Sequence, residues 1–217
     1  MSEKQVRQAI VDSCRRMNAL GINQGTSGNI SVRFGEGMLI SPSAVPYDVM
    51  TADDVVLVST KGGYEGSRKP SSEWRFHRDI LAKRNDVNVV IHAHPLYCTT
   101  LAICGKEIPP LHYMVAAAGG SNIRCAEYAT FGTEELSTNV LAALGDLKAC
   151  LIANHGAIVV GADLEAALWL AVELETLAHQ YVLSLQLGGP NLLPEEEIQR
   201  VLQKFKDYGY KPATPGH

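Results

Sequence analysis

The chain has 217 residues, of which 46% are hydrophobic, and carries 19 basic against 23 acidic side chains for a net charge of -4. That length and apolar content can bury a sizeable core. The slightly negative balance excludes nucleic acid or an anionic membrane as the main partner, and no apolar stretch approaches the roughly 20 residues that cross a bilayer.

In chain order, the first predicted element is a helix over residues 3–20. A polar loop, Asn23-Gln24-Gly25-Thr26-Ser27-Gly28-Asn29, then leads into a predicted strand at 29–33. Its small residues let backbone N–H groups approach an anion. It has neither the lysine of a P-loop nor the spacing of a dinucleotide fingerprint, so nucleotide binding is not supported. A second strand is predicted at 38–40. Ser41-Pro42-Ser43-Ala44 follows it and can add hydroxyl and amide donors to the same pocket. A third strand falls at 55–59.

The stretch Lys69-Pro70-Ser71-Ser72-Glu73 has the punctuation of a helix start, with the helix predicted over 73–83. Proline precedes it, Ser71 or Ser72 can cap it, and Glu73 sits favourably in the first turn. The same hydroxyls and free N–H groups suit a phosphate. His77, four residues on, shares the helix face of Glu73 and reads as a supporting or packing residue.

Val89-Val90-Ile91-His92-Ala93-His94 is an apolar, β-branched run that turns polar at its end, which predicts a buried strand over 89–94 reaching a cleft. Side chains alternate along a strand, so His92 and His94 point the same way. Helices are predicted over 95–103, 133–144, 164–187 and 194–208. Residues 149–160 read as two short strands or one bent strand, with His155 and a permissive Gly156 at the bend. Any single histidine is ordinarily a hydrogen-bonded core or loop residue. His92, His94 and His155 together with Glu73, however, read as a one-metal site, because three imidazoles plus an open position mark a catalytic centre and suit Zn2+. The mixed order of elements predicts a three-layer α/β/α domain without repeat or linker.

The motifs Asn23-Gln24-Gly25-Thr26-Ser27-Gly28-Asn29, Pro70-Ser71-Ser72-Glu73-Trp74-Arg75-Phe76-His77, His92-Ala93-His94, His112-Tyr113-Met114, Ala116-Ala117-Ala118-Gly119-Gly120, Tyr128-Ala129-Thr130-Phe131-Gly132-Thr133 and Asn154-His155-Gly156 resemble the class II aldolase family, over residues 8–208. The resemblance implies a largely antiparallel central sheet and a homotetramer with active sites between subunits. It also implies one Zn2+ per subunit and metal-dependent cleavage of a ketose 1-phosphate, L-fuculose 1-phosphate first, to dihydroxyacetone phosphate and L-lactaldehyde. Alternative substrates are 5-deoxyribulose 1-phosphate and 5-methylthioribulose 1-phosphate. By that match His92, His94, His155 and Glu73 hold the metal, and Glu73 and Tyr113 are catalytic, Tyr113 acting across a subunit boundary. Gly28, Asn29, Ser43, Ala44, Ser71 and Ser72 bind phosphate, while Phe131, Phe205 and Tyr208 line the aldehyde end.

The chemistry agrees with those residue types. Breaking a carbon–carbon bond beside a carbonyl leaves an enediolate, whose charge needs a Lewis acid or a Schiff base. A carboxylate beside a metal can return the proton, a phenol can take one from the neighbouring hydroxyl, and a held phosphate supplies orientation. At Ser43-Ala44 the family more often has Thr-Gly, which trades away backbone freedom. Sister activities, a pentulose-5-phosphate 4-epimerase and a methylthioribulose-1-phosphate dehydratase, share similar sites. The epimerases usually place Asp where Glu73 stands, and the tyrosine motifs favour aldol cleavage. An adducin-like binding module would lack the histidines. The five cysteines are scattered without a Cys-x-x-Cys pair, so neither a disulfide framework nor a cysteine zinc site is expected. No secretory pattern opens the chain, so the cytoplasm is the expected compartment, and residues 210–217, rich in Pro and Gly, are expected to be a flexible tail.

Overall fold

Residues 1–205 are described by a computed structural model. Tyr208, the predicted end of the last helix and the tail at 210–217 lie outside the described residues. Eight strands form one sheet: β1 (Asn29–Phe34), β2 (Gly37–Ile40), β3 (Val56–Ser59), β4 (Tyr64–Glu65), β5 (Val89–Ala93), β6 (Cys125–Ala126), β7 (Ala149–Ile152) and β8 (Gly156–Gly161). Their spatial order is β4-β3-β2-β1-β5-β8-β7-β6, and every neighbouring pair is antiparallel except β6 with β7. The expected largely antiparallel sheet is therefore present.

Helices α1 (Glu3–Ala19), α3 (Leu96–Ile103) and α5 (Leu164–Gln186) cover one face, and α2 (Trp74–Lys83) with α4 (Glu134–Leu144) covers the other. A further helix, α6 (Glu195–Phe205), packs on a 3-10 segment at Tyr113–Ala118. Three layers result, as expected. Among the described residues, no helix is long and apolar enough to cross a membrane. Caps fix several of the helix starts. Ser2 and Gln5 form a reciprocal capping box at α1, the Thr133 hydroxyl accepts from Leu136 N–H at α4, and the Asp163 carboxylate accepts from Ala166 N–H at α5. The strands β4 and β6 and the 3-10 segment have no counterpart among the predicted elements, since a two-residue strand or a short 3-10 turn carries no periodicity to read.

Alternation in the central strands prepares the site. In β1 the apolar Ile30 and Val32 face the α1/α3/α5 layer, which turns Asn29 and Ser31 toward α2. In β5 Ile91 and Ala93 face that same first layer, so His92 also turns toward α2, where its ring meets Phe76 edge-on at 5.5 Å. The register sets Asn29 directly opposite His92. A line of buried polar groups thus lies on the sheet beneath the start of α2.

Candidate active site

The three imidazoles meet ring to ring. Centroids lie 4.8 Å apart for His92 with His94 and for His92 with His155, and 5.1 Å apart for His94 with His155. One ligand nitrogen from each falls within 4.8 Å of the others. His92 Nδ1–H donates to the Ala157 carbonyl at 3.0 Å, which leaves the Nε2 lone pair aimed into the cluster. His94 Nε2 stands 3.0 Å from it. Glu73 completes the ring, its Oε2 at 3.1 Å from His92 Nε2 and its Oε1 at 3.2 Å from His155 Nε2.

That arrangement fits a divalent cation. His92 Nε2 and Glu73 Oε2 are both acceptors at hydrogen-bond distance, and Glu73 Oε1 is buried with no aligned hydrogen-bond donor among the described residues. Lone pairs converging in a buried space are reconciled by a cation or by protons. Three imidazoles and a carboxylate are the donor set of a transition-metal site, and His92, His94 and His155 are able to hold such a metal. Burial pushes the Glu73 carboxyl up, but His92 and His155, when protonated, outweigh it and hold it well below the usual carboxylate range. Burial, then its imidazole neighbours, pushes His94 down to about 4, so it presents the neutral ring that binds metals.

Local structure explains why these residues converge. The strand β5 ends at Ala93, so His94 lies just beyond it, yet both rings reach the same point. Residues 149–161 are two strands rather than one bent strand. The left-handed backbone in their turn belongs to Asn154 (φ 55), not to the glycine. Gly156 is required for a different reason: a Cβ there would lie 2.5 Å from the Ala93 carbonyl oxygen and 2.6 Å from His94 Cδ2. Glu73 is the N-cap of α2, one residue before its first turn, with its N–H donating to Ser71 Oγ at 3.3 Å. Behind His94, the Glu175 carboxylate of α5 accepts from Tyr97 N–H and Cys98 N–H at 2.8 and 2.9 Å, pinning the start of α3. Sequence reading missed Glu175, because no local pattern announces a partner almost 80 residues away.

The phosphate candidates lie on adjoining segments. Ile30 N–H donates to Ser41 Oγ at 3.1 Å, Ser71 N–H to the Ser41 carbonyl at 3.0 Å, and Ser43 N–H to the Lys69 carbonyl at 3.0 Å. Gly28 is held against the sheet, where a Cβ would meet Asn23 Oδ1 at 2.7 Å and the His92 carbonyl at 2.8 Å. The Tyr47 hydroxyl donates to its carbonyl. The side chain of Asn29, a residue expected at the phosphate, is bound to Glu73 and His77. Ser43, Ala44 and Ser72 are exposed. Ala44 stands at φ 59, where a side chain is strained. Ala44→Gly is therefore expected to raise unfolding stability by about 1 kcal/mol, read as a higher urea midpoint at unchanged slope. An unmoved midpoint would show that the strain costs nothing.

The aldehyde-end candidates lie on a loop, a 3-10 segment and a helix end. Phe131 is 63% exposed, on a loop that the Arg75 guanidinium holds by donating to the Gly132 carbonyl at 2.7 Å. Tyr113 is 49% exposed at the start of the 3-10 segment, its ring 4.7 Å from that of His112. Phe205 ends α6, which packs on that segment.

Residues 8–182 match the family described as class II aldolase and adducin N-terminal domain. The chain is 51% identical over 210 residues to a 5-methylthioribulose-1-phosphate/5-deoxyribulose-1-phosphate aldolase of Rhodospirillum rubrum, covering 97% of this chain and 95% of that one. It is 47% identical over 212 residues to the L-fuculose phosphate aldolase of Escherichia coli K12, covering 97% and 99%. Its fold is similar to the solved structure of an L-fuculose 1-phosphate aldolase with a TM-score of 0.92 at 36% identity, covering 95% of this chain and 98% of the other.

Proposed function

The chain belongs to the class II aldolase and adducin family, and on that footing we propose that it is a zinc-dependent aldehyde-lyase. It reversibly cleaves a ketose 1-phosphate to dihydroxyacetone phosphate and a short aldehyde. The observation that carries this reading is the convergence of His92, His94 and His155 on a buried Glu73 carboxylate, one oxygen of which meets no aligned donor among the described residues. A binding module has no use for such a cluster.

When bound, Zn2+ at His92, His94, His155 and Glu73 supplies a Lewis acid for the negative charge that develops beside the substrate carbonyl. Backbone N–H groups around Gly28, Asn29 and Ala44 and the hydroxyls of Ser43, Ser71 and Ser72 hold the phosphate, which fixes the sugar relative to the carboxylate. Glu73 moves the proton at the carbon that stays with the phosphate fragment. The phenol of Tyr113, reaching in from a neighbouring copy, takes the proton from the hydroxyl on the carbon that becomes the aldehyde. Phe131, Phe205 and Tyr208 line that end. The exposure of Tyr113 and Phe131 in the single chain supports sites completed between subunits of a homotetramer. The cytoplasm is the proposed compartment.

L-Fuculose 1-phosphate is the leading substrate, with 5-deoxyribulose 1-phosphate and 5-methylthioribulose 1-phosphate close alternatives, since the relatives named for these sugars are of comparable identity. A methyl or methylthio difference in a pocket is worth only about 1–3 kcal/mol, so several sugars are expected to react at different kcat/KM. Dihydroxyacetone phosphate release from all three, with and without chelator, tests the proposal. Chelator-sensitive release supports it; none from metal-loaded protein moves the assignment to the epimerase or dehydratase.

A further inference from the structure

We propose that Ser31 and His77 are positioning residues, a buried hydrogen-bond relay that makes the Asn29 side-chain amide a donor to Glu73 and so fixes the carboxylate at the metal face. This rests on the reading of Glu73 as metal ligand and proton carrier. The relay is continuous. Ser31 Oγ lies 2.7 Å from His77 Nδ1, His77 Nε2 lies 2.5 Å from Asn29 Oδ1, and Asn29 Nδ2 donates to Glu73 Oε2 at 3.0 Å. Ser31 and His77 are fully buried, and Asn29 and Glu73 almost so.

Direction along the chain follows from donor inventory. A hydroxyl can donate to Nδ1, which places the imidazole hydrogen on Nε2. That hydrogen is given to Asn29 Oδ1, and the amide must then turn its NH2 toward Glu73. The reverse orientation would set Oδ1 against a carboxylate oxygen, two acceptors face to face in a buried space. An asparagine amide is nearly symmetric in shape and would not choose by packing alone. The acceptor-only carboxylate sets the direction, and the Nε2–H tautomer of His77 with Ser31 donating to Nδ1 is the arrangement that holds the amide in it. No aligned donor among the described residues meets Glu73 Oε1, although His155 Nε2 stands 3.2 Å away, so the Asn29 bond on Oε2 is the directional hydrogen bond that orients the carboxylate group. Groups placed this way behind metal ligands typically matter about 10- to 100-fold in affinity or activity.

Three variants test it: His77→Phe, which keeps the flat ring and removes both nitrogens; His77→Gln, whose amide NH2 can stand in for Nε2–H; and Ser31→Ala. Each is measured for kcat and KM, for Co2+ affinity, and for the visible bands of the Co2+-loaded protein. His77→Phe is expected to lower kcat by about 10- to 100-fold with KM within about twofold, and to shift the Co2+ bands. His77→Gln should recover most of both, and Ser31→Ala should shift both in the direction of His77→Phe, by less. A folded His77→Phe protein with parental kcat and bands overturns the relay, as does His77→Gln impaired to the same extent. If His77→Phe does not fold, Ser31→Ala decides, and parental values there overturn the proposal. Should the parent cleave no ketose 1-phosphate, the aldolase reading falls, while Co2+ affinity and bands still judge the relay.

Discussion

His94→Ala protein is expected to lose bound metal and ketose phosphate cleavage together while staying folded. The three histidines are not equal targets. His92 is fully buried, its Nδ1–H bound to the Ala157 carbonyl, and its removal would leave a cavity beneath Phe76. His94 lies beyond the last residue of β5 and is partly exposed, so truncation there costs little packing. What it removes is the nitrogen 3.0 Å from His92 Nε2. Substitutions behind a metal ligand cost about 10- to 100-fold in affinity, and loss of a ligand itself should exceed the upper end of that range. Metal content after desalting and dihydroxyacetone phosphate release should therefore fall in parallel. Full activity from a metal-free His94→Ala protein would take this residue out of the site.

How much of this could be read beforehand depends on the range of the interaction. The strand ending in His-x-His was legible because alternation is a local rule, and it placed His92 and His94 correctly although the strand stops one residue short of His94. The helix starts expected at 3, 133 and 164 fall within a residue of α1, α4 and α5, but the cap expected from Ser71 or Ser72 does not form, because Glu73 itself is the N-cap of α2 and no side chain caps it. The role of Gly156 was misread. Its conformation is ordinary, and what demands glycine is the passage of the Ala93 carbonyl from another strand, a contact that only the register of β5 on β8 creates.

The candidate site divides along the same line. Glu73 with His77 four residues later was visible as one helix face, but the sequence could not show that β1 presents Asn29 and Ser31 to that face. Glu175 and Tyr47 act on the site from distant segments and carry no motif. The strain at Ala44 was half legible, since a departure from Gly was noticed, whereas the positive φ that makes it costly is a property of the folded loop.

Glu73→Gln separates metal binding from proton transfer, and the relay makes its outcome sharper than a simple charge deletion. Glutamine keeps the length and can take the place of the carboxylate between Asn29 and the imidazoles. Because Asn29 donates to the oxygen at Oε2, the new amide must present its own oxygen there and turn NH2 to the Oε1 side, toward His155. A donor then faces the pocket where a cation belongs. A divalent metal should still bind through His92, His94 and His155, more weakly than in the parent but at the same stoichiometry. Proton movement has no remaining carrier at that position, and general acid–base groups contribute about 10²- to 10⁴-fold, so kcat should fall by that range. Cleavage alone would not distinguish a lost base from a misplaced substrate. Exchange of a carbon-bound hydrogen of dihydroxyacetone phosphate in D2O does, because it needs only the phosphate fragment and the proton carrier. Exchange should fall with kcat while dihydroxyacetone phosphate still binds; parental exchange in metal-loaded Glu73→Gln protein would assign the proton to another group.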